Sequence, residues 1–208
     1  MLDPQARALL DLMKERRVPP VETLTPADAR RMYRERRFYT QPEAPEVGAV
    51  GDIDVPGPAG ALPVRGYRPA GTASDALLPA LVYFHGGGWT IGDRDTHDVL
   101  CRQLCNASGC AVFSVDYRLG PEHPFPAAVD DAIAAVRWIA RSASQLRIDA
   151  ARLAVGGDSA GGNLAAVVSL VMRMRATAAG SHSSCLSIRR PTCAARPGRT
   201  ARTAPVTC

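Results

Sequence analysis

An α/β fold is predicted, a mostly parallel sheet with helices on both faces, and three observations predict it. Short apolar runs alternate with helix-period segments from Leu77 onward. A pair of strand-like segments around Pro56-Gly-Pro-Ala-Gly60 precedes them, an antiparallel entry to the sheet. Two of the apolar runs end in glycine clusters, Gly86-Gly-Gly88 and Gly156-Gly157, where a strand gives way to a tight turn.

The elements follow in chain order. Asp3-Pro4 pairs an N-cap with proline at the first helical position, and Leu2, Ala6, Leu9, Leu10 and Met13 recur on one face, so a helix to about Arg17 is expected. Thr25-Pro-Ala-Asp28 repeats the start signal for a second helix to about Arg37. Strands are expected at Val47–Val55 and Ala61–Tyr67, then a buried strand ending at Phe84 and a helix from Thr96 to Ala107. Cys110–Val115 reads as another buried strand, Ala127–Arg141 as a helix, and Leu153–Val155 as a strand that enters a last helix, Ala160 to about Met174.

Chemistry concentrates at two turns. In Gly157-Asp-Ser-Ala-Gly161 a serine sits between a strand and a helix N-terminus, in the G-x-S-x-G spacing of a nucleophile elbow. Such a turn lifts the Ser159 hydroxyl clear of the sheet, and Gly157 and Gly161 are required because side chains there would strike neighbouring backbone. Upstream, His85-Gly86-Gly87-Gly88 follows a strand and leaves backbone N–H groups free to face a ligand. Acyl transfer needs such donors for the charge that grows on the attacked carbonyl oxygen. Either motif alone is a moderate signal, and a glycine triplet by itself more often marks a loop.

Together with Asp116-Tyr-Arg-Leu-Gly-Pro-Glu-His-Pro-Phe-Pro-Ala-Ala128, these motifs resemble the hormone-sensitive-lipase-like (GDXG) family of α/β-hydrolase-fold esterases, in order and in spacing, from the chain start to about Arg175. Gly120 departs from the alanine usual there. The resemblance implies the N-terminal part of an α/β-hydrolase fold with the later sheet strands missing. It divides the chain into cap helices at 1–45, a partial core at 46–175 and a non-family, disordered tail at 176–208. Ser159 would be the catalytic nucleophile and Gly87, Gly88 and Ala160 the oxyanion donors, with His85, Gly86, Gly157, Asp158 and Gly161 supporting them. The implied substrate is a small ester of short to medium acyl length, with no cofactor and no metal.

Composition narrows the rest. The tail 176–208 holds five arginines and no acid; without it the 25 basic residues fall to 20, matching the 20 acidic ones, so no nucleic-acid-binding face is expected. No apolar run approaches a membrane span, and the start has no signal-peptide h-region, so cytoplasm is the default location and the six cysteines are expected as thiols. Nothing in the sequence fixes an oligomeric state. His97, Cys101 and Cys105 share a helical face, but two core thiols and a helix-start histidine explain them better than a metal site. Asp158 is expected to stabilise its turn, and Glu122 with His123 to shape a loop near the cap.

The tail changes character at Ala176: no lysine, acid or aromatic, and three of the cysteines. One reading is a plain disordered tail. The sharper one is a shifted frame beginning near Arg173 to Arg175: codons for a family-like Tyr-Pro-Ala-Thr-Asp-Met, read one base late, encode Ile188-Arg-Arg-Pro-Thr-Cys193. A serine hydrolase of this fold takes its acid and then its histidine from beyond the serine. After Ser159 these 208 residues contain no Asp or Glu and one histidine, His182. The expectation is therefore an esterase by family with little or no activity; the alternative is a non-catalytic fragment with at most a binding role.

Overall fold

A computed structural model describes the backbone of residues 2–178 and the side chains of residues 2–173. Elements α1 (Pro4–Glu15) and α2 (Pro26–Thr40), with a 3-10 turn at Val21–Thr23 between them, lead into the hairpin β1 (Ala49–Gly57) and β2 (Gly60–Arg68). There follow β3 (Leu78–Phe84), α3 (Asp98–Ser108), β4 (Ala111–Val115), α4 (Ala127–Arg141), a one-turn α5 (Ala143–Leu146), β5 (Ile148–Gly157) and α6 (Ala160–Ala178). The caps act as the sequence indicates. Asp3 accepts from the Gln5 and Ala6 N–H groups, and Thr25 from that of Asp28.

The five strands lie in the order β1-β2-β4-β3-β5. β1, β2 and β4 pair antiparallel, while β3 pairs parallel with both β4 and β5. Helices cover both faces, as an α/β fold requires. On one face α4 and α6 bury Ala132, Val136, Ile139, Leu164 and Val168 against Val82, Phe84, Val115 and Leu153. On the other, α3 packs Cys101 and Cys105 against Tyr67, Tyr83 and Val112. Each fully buried Val, Leu or Ile there stabilises the fold by about 1.5–3 kcal/mol.

Besides the unforeseen one-turn α5 and shifts of up to three residues at other element ends, three elements differ from expectation. α3 starts at Asp98 because the Asp93 carboxylate takes the Asp95 and Thr96 N–H groups at 2.9 and 2.8 Å, holding that segment in a turn. β5 is much longer than Leu153–Val155. Its first half pairs with β3 through an irregular register, and exposed residues 150–152 hide the apolar alternation. α6 runs to Ala178, past the expected end at Met174, since Ala176 and Ala178 favour helix. The rest of the tail, with His182 and the shifted-frame segment, lies outside the described residues.

Candidate active site

The parallel register sets Tyr83 beside Gly156 and Phe84 beside Gly157. β3 and β5 therefore end together, and both glycine motifs leave the sheet at its carboxyl edge, where open α/β sheets bind ligands.

At the β5–α6 turn Ser159 is exposed and holds φ at 48°, left-handed backbone that a non-glycine residue adopts only when its surroundings enforce it. The enforcement is visible in the glycines. A Cβ on Gly161 would overlap the Phe84 carbonyl and come within 2.7 Å of the His85 oxygen; one on Gly157 would strike the Phe84 oxygen. The Asp158 carbonyl accepts from the Gly161 and Gly162 N–H groups at 2.8 and 3.2 Å, closing the first turn of α6. Ala160, the first helical residue, is buried.

Asp158 does more than steady its own turn. Its carboxylate accepts the Gly86 N–H at 2.8 Å and the Tyr83 hydroxyl at 2.7 Å, and lies 3.3 Å from His97 Nε2. Burial opposes its charge, but the bonds from His97, Tyr83 and Gly86 outweigh burial and hold the carboxyl far below the usual range. That bonding turns it toward the glycine loop.

The glycine loop is built on a buried histidine. His85 stacks on Tyr117 with ring centroids 4.3 Å apart, and its carbonyl accepts the Tyr117 hydroxyl at 2.6 Å. Burial pushes the imidazole down to about 4, with His97 adding repulsion, so it is neutral at pH 7. Gly87 and Gly88 hold φ at 127° and 59°, and the Gly87 carbonyl accepts from Thr90 and Ile91. Among the described residues no protein acceptor engages the Gly87 or Gly88 N–H. Two donors thus stand open in the loop that Asp158 fastens to the serine turn.

The other candidates have structural partners. His97, the N-cap residue of α3, bonds Asp158 and contacts Thr96 Oγ1 at 3.0 Å. Cys101 and Cys105 are fully buried, and burial pushes the Cys101 thiol up to about 12. No group of three His, Cys, Asp or Glu among the described residues could hold a metal ion. Glu122 forms a bidentate pair with Arg30 of α2. Sequence reasoning missed Tyr83, Tyr117 and Arg30 as parts of this assembly. Tyr83 left a signal, a phenol in an otherwise apolar strand that had to find a polar partner.

A family model described as the α/β hydrolase fold matches residues 81–202, running beyond Arg175. The carboxylesterase NlhH of Mycobacterium tuberculosis is 42% identical over 182 residues, covering 83% of this chain and 52% of its own. The carboxylic ester hydrolase LipN of the same organism is 55% identical over 128 residues, 61% of this chain and 33% of its own. Among solved structures, an ester hydrolase from the metagenome of Lake Arreo superposes with a TM-score of 0.80 at 49% identity, covering 84% of this chain and 56% of the other. The chain thus spans a third of LipN and about half of NlhH. No described helix is long and apolar enough to cross a membrane.

Proposed function

Because the chain belongs to the α/β-hydrolase-fold family, in the hormone-sensitive-lipase-like branch its motifs indicate, we propose that its site is that of a serine carboxylic-ester hydrolase. Ser159 is the nucleophile, and the N–H groups of Gly87, Gly88 and Ala160 are the oxyanion donors. The observation that carries this reading is the union of the two motifs, the serine turn bonded through Asp158 to a loop with two open amides.

In this reading Ser159 Oγ bonds to the ester carbonyl carbon, and the carbonyl oxygen takes up negative charge facing the amides. The C–O bond to the alcohol then breaks, leaving an acyl-serine that water hydrolyses. Both halves need a base to take the hydroxyl or water proton and return it to the leaving oxygen. His85 is buried against Tyr117 and His97 is committed to Asp158. No carboxylate follows Ser159 in the 208 residues. On this reading a polypeptide of these 208 residues alone binds short- to medium-chain esters and turns them over slowly.

A chimera tests the reading. Residues 1–172 are joined to the portion of NlhH that follows its equivalent helix, and p-nitrophenyl butyrate hydrolysis is followed. Hydrolysis is expected to appear, and Ser159→Ala to reduce it by roughly 10³-fold or more. Hydrolysis that survives Ser159→Ala would remove Ser159 from its role.

A further inference from the structure

We propose that Arg30, on the N-terminal helix α2, is a positioning residue for the glycine loop; the oxyanion role of that loop rests on the esterase reading above. The Arg30 guanidinium makes four bonds. Nε donates to the Thr90 carbonyl at 2.7 Å, and Nη2 to the Gly120 carbonyl at 2.8 Å. Nη1 and Nη2 donate to the two Glu122 carboxylate oxygens at 2.9 and 2.7 Å. These partners lie 60 to 92 residues away in sequence.

Thr90 is two residues beyond Gly88, and its N–H donates to the Gly87 carbonyl at 3.1 Å. Between them Trp89 offers its carbonyl to the Gly120 N–H at 2.7 Å. The exit of the glycine loop and the 120–122 segment are thus cross-braced, and Arg30 grips both. The brace is needed because Gly87, Gly88 and Trp89 hold φ at 127°, 59° and 57° in succession. A tryptophan keeps left-handed backbone only where contacts on both sides fix it. Arg30 and Gly120 are those contacts.

The grip extends along α2 at one-turn intervals and on to its C-cap residue, Gln41. Arg34 pairs with Asp93, Arg37 Nη1 donates to the Asp95 carbonyl at 3.0 Å, and Gln41 Nε2 to the Thr96 carbonyl at 2.7 Å. Ala29 is the one buried residue of the helix. Polar bonds rather than apolar burial therefore seat α2, and all of them fall on residues 90–96 or 120–122. Order in the amide cradle consequently depends on whether α2 is docked.

Trp89 is a built-in reporter, since the chain has two tryptophans and the other, Trp138, lies on α4. With Trp138→Phe, acrylamide quenching of the 208-residue protein reads the loop alone; with Trp89→Phe it reads the core. Arg30→Gln is expected to raise the Trp89 quenching constant about twofold and leave that of Trp138 unchanged. Arg30→Lys should recover only part of the difference, because an ammonium cannot span two carbonyls and a carboxylate with a planar fork. Should Arg30→Gln fail to fold, Glu122→Gln at an exposed position should give a smaller rise in the same direction. Unchanged Trp89 quenching, or a parallel rise at Trp138, overturns the proposal. Quenching reads loop order whether or not any ester is turned over, so failure of the esterase reading would show elsewhere, in the chimera.

Discussion

The Asp158 carboxylate accepts the Gly86 N–H at 2.8 Å across 72 residues of sequence. Through this bond the serine turn and the glycine loop form one unit, and the same carboxylate recruits Tyr83 and His97. Asp158→Ala leaves the Gly86 N–H and the Tyr83 hydroxyl without their acceptor and is expected to cost about 1–3 kcal/mol. Asp158→Asn, which keeps an acceptor but loses the charge, should cost less. Urea unfolding at pH 7 of the two variants checks the order.

Acid should act in two separate windows. His85 has a folded-state value near 4 against an ordinary 6.5, because burial favours the neutral ring. The unfolded chain therefore binds more protons between these values, and stability is full above about pH 6.5 and declines toward pH 4, by up to about 3 kcal/mol. Asp158 is depressed instead, so its contribution is intact above its ordinary value of 3.8 and is lost only as pH falls further. Urea midpoints at pH 7.5, 5.0 and 4.0 should fall for the native chain and change less for His85→Gln.

Gly161→Ala tests the close approach of helix and strand. The added methyl would overlap the Phe84 carbonyl, which is backbone and cannot swing aside. A loss of about 3 kcal/mol or more is expected, at or beyond the upper end of overpacking costs. Gly88→Ala meets no neighbouring atom and carries only the strain of φ at 59°. A milder loss in its unfolding midpoint is the measurable contrast.

Local signals carried most of the fold. The Ala127–Arg141 helix was legible residue for residue because its apolar positions recur at helical spacing, and Asp3 and Thr25 announced their helices as N-caps. α5 was not legible, since a single turn is too short to show periodicity. The serine turn and the glycine loop could be read as tight turns because backbone geometry restricts the residue types there. Arg30 could not be picked out, because nothing in an arginine-rich helix says which guanidinium reaches a loop 60 residues away. Asp158 was half-legible: its place in the turn pointed to a structural role, but its reach to Gly86 needed the β3–β5 register.

On the proposed reading Ser159 stands before the open amides of Gly87 and Gly88, and the 208 residues hold no Asp or Glu beyond it. Turnover of p-nitrophenyl butyrate by the purified 208-residue chain, with and without Ser159→Ala, tests that reading most directly. Triad members act as a unit, so slow turnover is expected, roughly 10³–10⁴-fold above water at most, that Ser159→Ala scarcely alters. Turnover at ordinary enzymatic rates, abolished by Ser159→Ala, would contradict it.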